Sequence, residues 1–430
     1  MNKFKRISGG RLIALGFAIV IILGTILLMS SVSRKDSVDV SFIDALFTST
    51  SAVCVTGLIA IDTADTFNLF GKTVVALLIQ IGGLGVTSIG VGLIILLRKN
   101  VGIKQRMLVK EALNLDTMKG IVRLVKAVLI MTVSFEIIGA VLSYIVFSKD
   151  YNHFDAMGIS IFHSIAAFNN SGFDVLGNFK NLAEYKDNIL LNIVTCVLII
   201  FGGLGFLTIK EIIEKHSFKK FSLNTKIVVS MTIILLVAGT VLLKLTDNIS
   251  WLTAFFYSTS ARTAGFSTSP LSQFSNSGLF IIIILMFIGA SPGSTGGGIK
   301  TTTFFTIIKN VYSVSTNKHC SAFKKEIPQR AVAKSSIIAT LALGIVLVDT
   351  FIICMLEPQY SFIQILFEVT SAFGTVGLST GITPNLTDLS KFILTITMFI
   401  GRVGPLTIAT IWSFNPQSSV HYLNEEVTIG

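Results

Sequence analysis

Between Leu12 and Ser33 the chain carries no charged side chain, and the same holds from Thr73 to Leu97 and from Asn188 to Ile209. Ile227–Leu243 is nearly as long. An apolar helix of about 18 residues can cross the hydrocarbon of a bilayer. Further apolar runs lie at 127–148, 278–299, 335–356 and 392–413, some with one charge, so about eight spans are expected. The composition agrees: 52% of residues are hydrophobic and 13% charged, against about a quarter charged in soluble domains. Lys3, Lys5, Arg6 and Arg11 precede the first run as in a signal peptide. That run is too long for a signal core and no clean small-residue cleavage site follows, so a retained span is expected.

A net charge of +11 could suggest nucleic acid, but the charges are laid out otherwise. Four Lys/Arg precede Leu12, eight lie from Arg98 to Lys126, five from Lys210 to Lys226 and seven from Lys300 to Lys334. Between them stand the acids Asp36, Asp39, Asp44, Asp62, Asp65, Asp150, Asp155, Asp174, Glu184 and Asp187. This is the positive-inside pattern of a multi-pass plasma-membrane protein, with the N-terminus and basic loops cytoplasmic. Acidic outer loops would concentrate cations at the mouth. Cys54, Cys196, Cys320 and Cys354 have no motif spacing and read as free thiols. The scattered histidines suggest no metal site.

Each pair of spans leaves the cytoplasm and returns, and the unit repeats. Between the two spans of each unit lies a segment too short to cross: 47–58, 162–173, 255–266 and 367–378. Each carries Gly57, Gly172, Gly265 or Gly377, followed by Leu or Phe. Ten residues before these glycines stand Phe47, Phe162, Phe255 and Phe367; five before stand Ala52, Ala167, Ser260 and Ala372. The second spans share a frame as well: Ile81-Gly82-Gly83-Leu84-Gly85, Phe201-Gly202-Gly203-Leu204-Gly205 and Ile400-Gly401-Arg402-Val403-Gly404, with Ile288-Gly289 beginning it in the third unit. Small residues there allow close helix approach. The units run 10–99, 121–216, 224–314 (with a broken second helix) and 331–414, followed by a cytoplasmic tail at 415–430. The expected fold is an all-α membrane protein: four tandem span–loop–span repeats, eight transmembrane helices and four re-entrant loops in pseudo-four-fold arrangement.

Non-helical backbone at membrane depth must line water or be buried in protein. Four strands around one axis would turn carbonyls inward, and ringed carbonyls can replace the hydration shell of K⁺. Thr375-Val376-Gly377 echoes the start of the potassium-channel filter sequence. The candidate ion-binding residues are Val55, Thr56, Gly57, Asn170, Ser171, Gly172, Thr263, Ala264, Gly265, Thr375, Val376 and Gly377.

On these loops, and on Ser-Ala-Val-Cys-Val-Thr-Gly-Leu and Gly-Gly-Leu-Gly, the chain resembles the Trk/Ktr/HKT superfamily of cation transporters, most of all the KtrB-type membrane subunit of Ktr systems. The resemblance covers nearly the whole chain. It implies one selectivity filter built from four loops, and glycine at all four filter positions implies K⁺ as cargo. Na⁺ remains a second ion to consider, and no organic cofactor is implied. The flanks Cys54-Val55, Asn169-Asn170 and Arg262-Thr263 are uneven, so a filter less selective than a symmetric channel's is expected. The resemblance also implies a homodimer on a cytoplasmic nucleotide-binding (KtrA-type) ring, which the basic loops could dock; topology alone would also explain those loops.

In the third unit, Gly289-Ala290-Ser291-Pro292-Gly293-Ser294-Thr295-Gly296-Gly297-Gly298 cannot hold a straight helix. It is either an early cytoplasmic loop or, as the resemblance implies, a gate within the membrane. Arg402 stands mid-span at the frame position of Gly83 and Gly203. An intramembrane Arg faces the interior or water; the resemblance implies a part in the gate, while capping carbonyls of the broken helix is the structural alternative. Glu136 could pair with Arg402, and Asp349 could reach outer water. Glu368 and His163, both nine residues before a loop glycine, read as structural or mouth-facing.

Three other functions fit parts of the sequence. Gly293–Thr301 nearly matches a phosphate-binding loop, but Ile299 separates glycine from lysine and no strand precedes it. A Na⁺-coupled secondary transporter of K⁺ or another solute would also use broken helices. A subunit of a tetrameric channel is unnecessary with four loops in one chain. No enzymatic chemistry is expected.

Overall fold

The computed structural model describes residues 9–36, 38–97, 101–112 and 119–410. Lys3, Lys5 and Arg6, parts of the second basic cluster (98–100 and 113–118) and the tail at 415–430 lie outside the described residues. The first stretch forms α1 (Gly9–Met29), α2 (Phe42–Val53), the single turn α3 (Thr63–Thr66), α4 (Leu69–Leu84) and α5 (Val86–Leu96). After α6 (Ile103–Ala112) come α7 (Ile121–Phe147), α8 (His153–Phe168), α9 (Ile189–Leu204) and α10 (Phe206–Lys215). The third stretch gives α11 (Leu223–Thr246), α12 (Trp251–Ser260), α13 (Asn276–Phe287) and α14 (Thr301–Ser315). A small antiparallel hairpin, β1 (Ser321–Ala322) with β2 (Lys325–Glu326), leads to α15 (Gln329–Leu356), α16 (Phe362–Gly374), α17 (Asp388–Val403) and α18 (Pro405–Thr410).

Among the described residues four single helices, α1, α7, α11 and α15, are long and apolar enough to cross a bilayer. Only 33%, 22%, 39% and 22% of their most apolar windows are buried in the chain. What remains outside is Ile22 and Ile26 on α1, or Ile137 and Val141 on α7, a surface suited to hydrocarbon rather than water.

The apolar runs 73–97 and 188–209, expected as straight spans, are broken. α4 and α5 meet at 97°, and so do α9 and α10. The break falls at Gly85 (φ 82°) and Gly205 (φ 88°), and Gly404 (φ 98°) separates α17 from α18 in the same way. A left-handed residue ends an α-helix, and glycine adopts that backbone without penalty. In the third stretch α13 ends at Phe287 and no helix resumes until Thr301.

Capping residues start the short helices. Ser41, Asn152 and Ser250 accept from the N–H of Asp44, Asp155 and Thr253 at 3.1, 3.0 and 3.1 Å, and Ser361 forms a capping box with Gln364. Each short helix then leans on the long helix before it. Ser49, Ser164 and Ser258 pack on Gly24, Gly139 and Gly239 of α1, α7 and α11, where a Cβ would overlap the serine oxygen. Gly82, Gly202 and Gly401 press against the carbonyls of Val53, Phe168 and Phe373 at the ends of α2, α8 and α16, again with no room for a Cβ. These glycines let α4, α9 and α17 approach the ends of the short helices, which fixes where the loops that follow must go.

Candidate functional site

The four loops after α2, α8, α12 and α16 are brought together. A Cβ on Gly57 would strike the carbonyl of Ser171, one on Gly172 that of Ala264, one on Gly265 that of Val376, and one on Gly377 that of Thr56. Each loop touches the next, and the fourth closes on the first. Val55, Thr56, Asn170, Ser171, Thr263, Ala264, Thr375 and Val376 are all fully buried.

Each loop repeats one backbone pattern. Val55, Asn170, Thr263 and Thr375 have φ of 58°, 59°, 73° and 49°, and the glycines two residues on have 89°, 67°, 77° and 95°. Thr56, Ser171, Ala264 and Val376 are not among the positive-φ residues. Alternating handedness gathers successive N–H groups on one side and leaves the carbonyls on the other. The N–H groups point back to the short helices: Thr56 N donates to Ser51 O (2.8 Å) and Gly57 N to Ser51 Oγ (3.0 Å). Val376 N and Gly377 N do the same with Ser371 (2.8 and 3.0 Å). Ser171 N reaches Ala166 O (2.9 Å) and Ala264 N reaches Ser260 O (2.9 Å). Left-handed non-glycine residues are costly and persist where the surroundings hold them.

Residues 288–300 lie directly against two of these loops. Gly297 N donates to Thr375 Oγ1 (2.9 Å), and Gly296 abuts Thr263 Oγ1. Ser291 N donates to Gly203 O (3.0 Å), Thr295 N to Gly202 O (3.3 Å), and Gly293 O accepts from Phe206 N (3.1 Å). The last carbonyls of a helix lack intrahelical partners, so the break after α9 supplies the acceptors that hold this segment. Arg402, expected mid-span, sits in the last turn of α17. Its guanidinium donates to Thr295 O on the segment and to Gly82 O and Gly83 O (3.3 Å) at the end of α4. Phe17 of α1 lies 5.9 Å away with its ring beneath it. Lys300 Nζ turns back onto Gly296 O (2.6 Å) and Gly297 O (3.2 Å), which is no phosphate cradle. A cavity of about 320 Å³ lies on this side, bounded by Phe17, Gly83, Gly296, Lys300 and Arg402.

Glu136 does not pair with Arg402. Its carboxylate accepts from Asn169 Nδ2 (3.0 Å), which also reaches Gln80 Oε1 (2.9 Å). The Asn169 side chain and the Gly83 peptide stand between the two charges. Asp349 accepts from Thr397 Oγ1 (2.7 Å) on α17. Glu368 is structural: it gathers Thr380 N (2.8 Å), Ser379 Oγ (2.7 Å) and Thr383 Oγ1 (2.7 Å) and so ties the chain beyond Gly377 to α16. His163 meets Thr195 Oγ1 (2.9 Å) inside the fold. The four cysteines are free thiols, and Cys54 directly precedes the first loop.

Residues 11–422 match the TrkH family model, described as a cation transport protein. The chain belongs to the TrkH family. It is 37% identical to the Ktr system potassium uptake protein B of Bacillus subtilis over 100% of this chain and 98% of that protein. It is also 37% identical to the potassium/sodium uptake protein NtpJ of Enterococcus hirae, over 99% and 98%. The crystal structure of the potassium transporter TrkH from Vibrio parahaemolyticus superposes with a TM-score of 0.75 at 18% identity, covering 96% of this chain and 87% of that one; that likeness is one of fold.

Two features of this TrkH-family chain escape sequence reasoning. Asn181 donates to Gly172 O (3.1 Å) and to Asp174 (2.9 Å), and accepts from Ser267 N (3.1 Å), tying the second loop to the third. Its left-handed φ of 48° has no spacing signal. Burial, with Asp62 nearby, pushes the Asp174 carboxyl, two residues after Gly172, up to about 6.

Proposed function

We propose that this protein takes up K⁺ across the plasma membrane through the ring of four loops, with 288–300 and Arg402 as the gate beneath it. The ring itself carries the reading: four glycine loops in mutual contact, with N–H groups turned to the scaffold and the carbonyls turned away from it. Among the described residues, Gly172 O alone of the ring carbonyls takes a side-chain donor, Asn181. Peptide oxygens around an axis replace the hydration shell of a cation. The short helices end at the ring, so their negative dipole ends favour a cation there. Val55, Asn170, Thr263 and Thr375 with their two following residues form the filter. The fold is four span–loop–span repeats around a pseudo-four-fold axis, each second span bent or broken, with both termini cytoplasmic. Gly289–Gly298 closes the path from below, pinned by Arg402.

K⁺ as cargo is supported by full-length relatives named for potassium uptake, and Na⁺ as a second ion by the name of the Enterococcus hirae relative. A relative named as a component of a Ktr system supports association with other subunits; a homodimer on a cytoplasmic nucleotide-binding ring is the proposed assembly. The test is growth of cells lacking their own K⁺ uptake systems at low K⁺. The wild-type chain should restore it, and Gly57→Ser, whose side chain would displace Ser171, should restore it only at higher K⁺ and with greater Na⁺ sensitivity. Failure of the wild-type chain to carry K⁺ in proteoliposomes would overturn the proposal.

A further inference from the structure

Three residues before the loop glycines stand Cys54, Asn169, Arg262 and Gly374. The second and third of these leave the ring sideways, into the seams between neighbouring helices. Asn169 enters the seam of α4 and α7, where Gln80 and Glu136 meet it. Arg262 enters the seam of α9 and α11, and there no acid meets it.

Glu136 precedes by three the glycine that packs on Ser164; the residue that precedes by three the glycine packed on Ser258 is Leu236. Arg262 is 6% exposed, yet its guanidinium makes one long bond, from Nη1 to Thr232 O at 3.5 Å, and Nε has no partner. The Thr232 hydroxyl, in a residue equally buried, is also unpartnered. None of the ion pairs among the described residues includes Arg262. Both side chains line a void of about 10 Å³, completed by Ile199, Ile200, Gly203, Leu236 and Thr259, whose hydroxyl donates to Phe255 O (2.9 Å). Such a void is about the size that holds one water, so a halide occupies it with an outward shift of the long Arg262 side chain.

Arg402 provides the contrast within the same molecule, since it spends its donors on three carbonyls. A guanidinium does not shed its charge by deprotonation, and burying it without a counter-charge is costly. It also stands beside a path for cations, where an uncompensated positive charge raises the barrier to their passage; this last point rests on the function proposed above.

We infer that the void binds a small monovalent anion of the halide class, held by the Arg262 guanidinium and the Thr232 hydroxyl. The bound anion neutralises the third loop from its outer side without approaching the path.

The full-length protein in lipid nanodiscs is melted in sodium chloride, sodium bromide or sodium gluconate at equal ionic strength. Chloride and bromide should raise the melting temperature saturably relative to gluconate. Arg262→Gln and Thr232→Val should lose or weaken that rise. Leu236→Glu, which places a carboxylate in the seam as Glu136 does beside Asn169, should remove the halide dependence while keeping Arg262. Bromide-soaked crystals should show an anomalous peak beside the guanidinium. Identical melting in halide and gluconate, or a water at that position with no bromide signal, would overturn the inference. These readouts do not require transport, so a failure here is distinct from a failure to carry K⁺.

Discussion

Replacing Arg402 with Ala removes a side chain that bridges the 288–300 segment and the end of α4. The wild-type guanidinium donates to Thr295 O on one side and to Gly82 O and Gly83 O on the other. A hydrogen bond from a charged donor is worth about 1.5–3 kcal/mol net. Losing the bond to Thr295 and the stronger of the two to α4, with water recovering part of the loss, weakens the seated segment by on the order of 3 kcal/mol. At about 1.4 kcal/mol per tenfold, the equilibrium between seated and displaced segment moves by ~10²-fold. Removing a positive charge from the cavity beneath the ring acts in the same direction. Flux of K⁺ or Rb⁺ into proteoliposomes should therefore rise, up to the ceiling set by a fully displaced segment. Arg402→Lys separates the two causes: it keeps the charge, but a compact ammonium cannot span both sets of carbonyls. If charge dominates, Lys stays near wild type; if the bridge dominates, Lys behaves like Ala. Unchanged or lower flux in Arg402→Ala, with normal helicity and a monodisperse elution profile, would refute the reasoning.

Further outcomes follow from the packing and from the mouth. Gly401→Ala forces a Cβ into the carbonyl of Phe373 and should destabilise the protein by about 1–3 kcal/mol or prevent folding, whereas Gly158→Ala, with nothing within 4 Å, should be neutral or gain about 0.5–1 kcal/mol; thermal melting in detergent compares them. The Asp174 carboxyl, raised to about 6 chiefly by burial, is charged above that pH and neutral below it. Acidifying the outside through pH 6 should thus raise the K⁺ concentration needed for half-maximal uptake, and Asp174→Asn should flatten that dependence while resembling the acid wild type at neutral pH.

The loops were legible because their signal is local: a phenylalanine, a small residue and a glycine at constant offsets within one short stretch, repeated. Close packing imposes those residue types, so the repeat survives in plain spelling. The breaks at Gly85 and Gly205 were hidden because apolarity runs unbroken through them; hydropathy reports which solvent a segment prefers and is silent about its backbone angles. The sequence places Glu136 and Arg402 as opposite charges within spans, which allows a pair between them. The pair is not made because Asn169, a neighbour of neither in sequence, lies between them. Arg262 was visible as an irregularity, but its lack of a counter-charge depends on Leu236, whose relation to Glu136 appears only once Gly239 and Gly139 are seen in equivalent contacts.

The hidden breaks and the candidate gate are one arrangement. A continuous α9 would satisfy the carbonyls of Gly202 and Gly203 within its own helix and leave nothing for Ser291 and Thr295 to bind. In α4 the break leaves Gly83 O open to Arg402, while Gly82 O receives Arg402 beside the bond from Gly85 N (3.2 Å). Ending both helices at a left-handed glycine leaves these carbonyls open to such donors at the depth of the ring's inner edge. The third stretch, with no helix from Ile288 to Lys300, supplies backbone N–H groups to meet those of α9, and α17 supplies the guanidinium for α4. Displacing the segment strands these acceptors unless water replaces the lost donors. If the segment is the gate proposed above, opening it and wetting the space beneath the ring are a single event, and a substitution that restored straight helix at Gly205 should change the flux before it changes the K⁺ over Na⁺ preference.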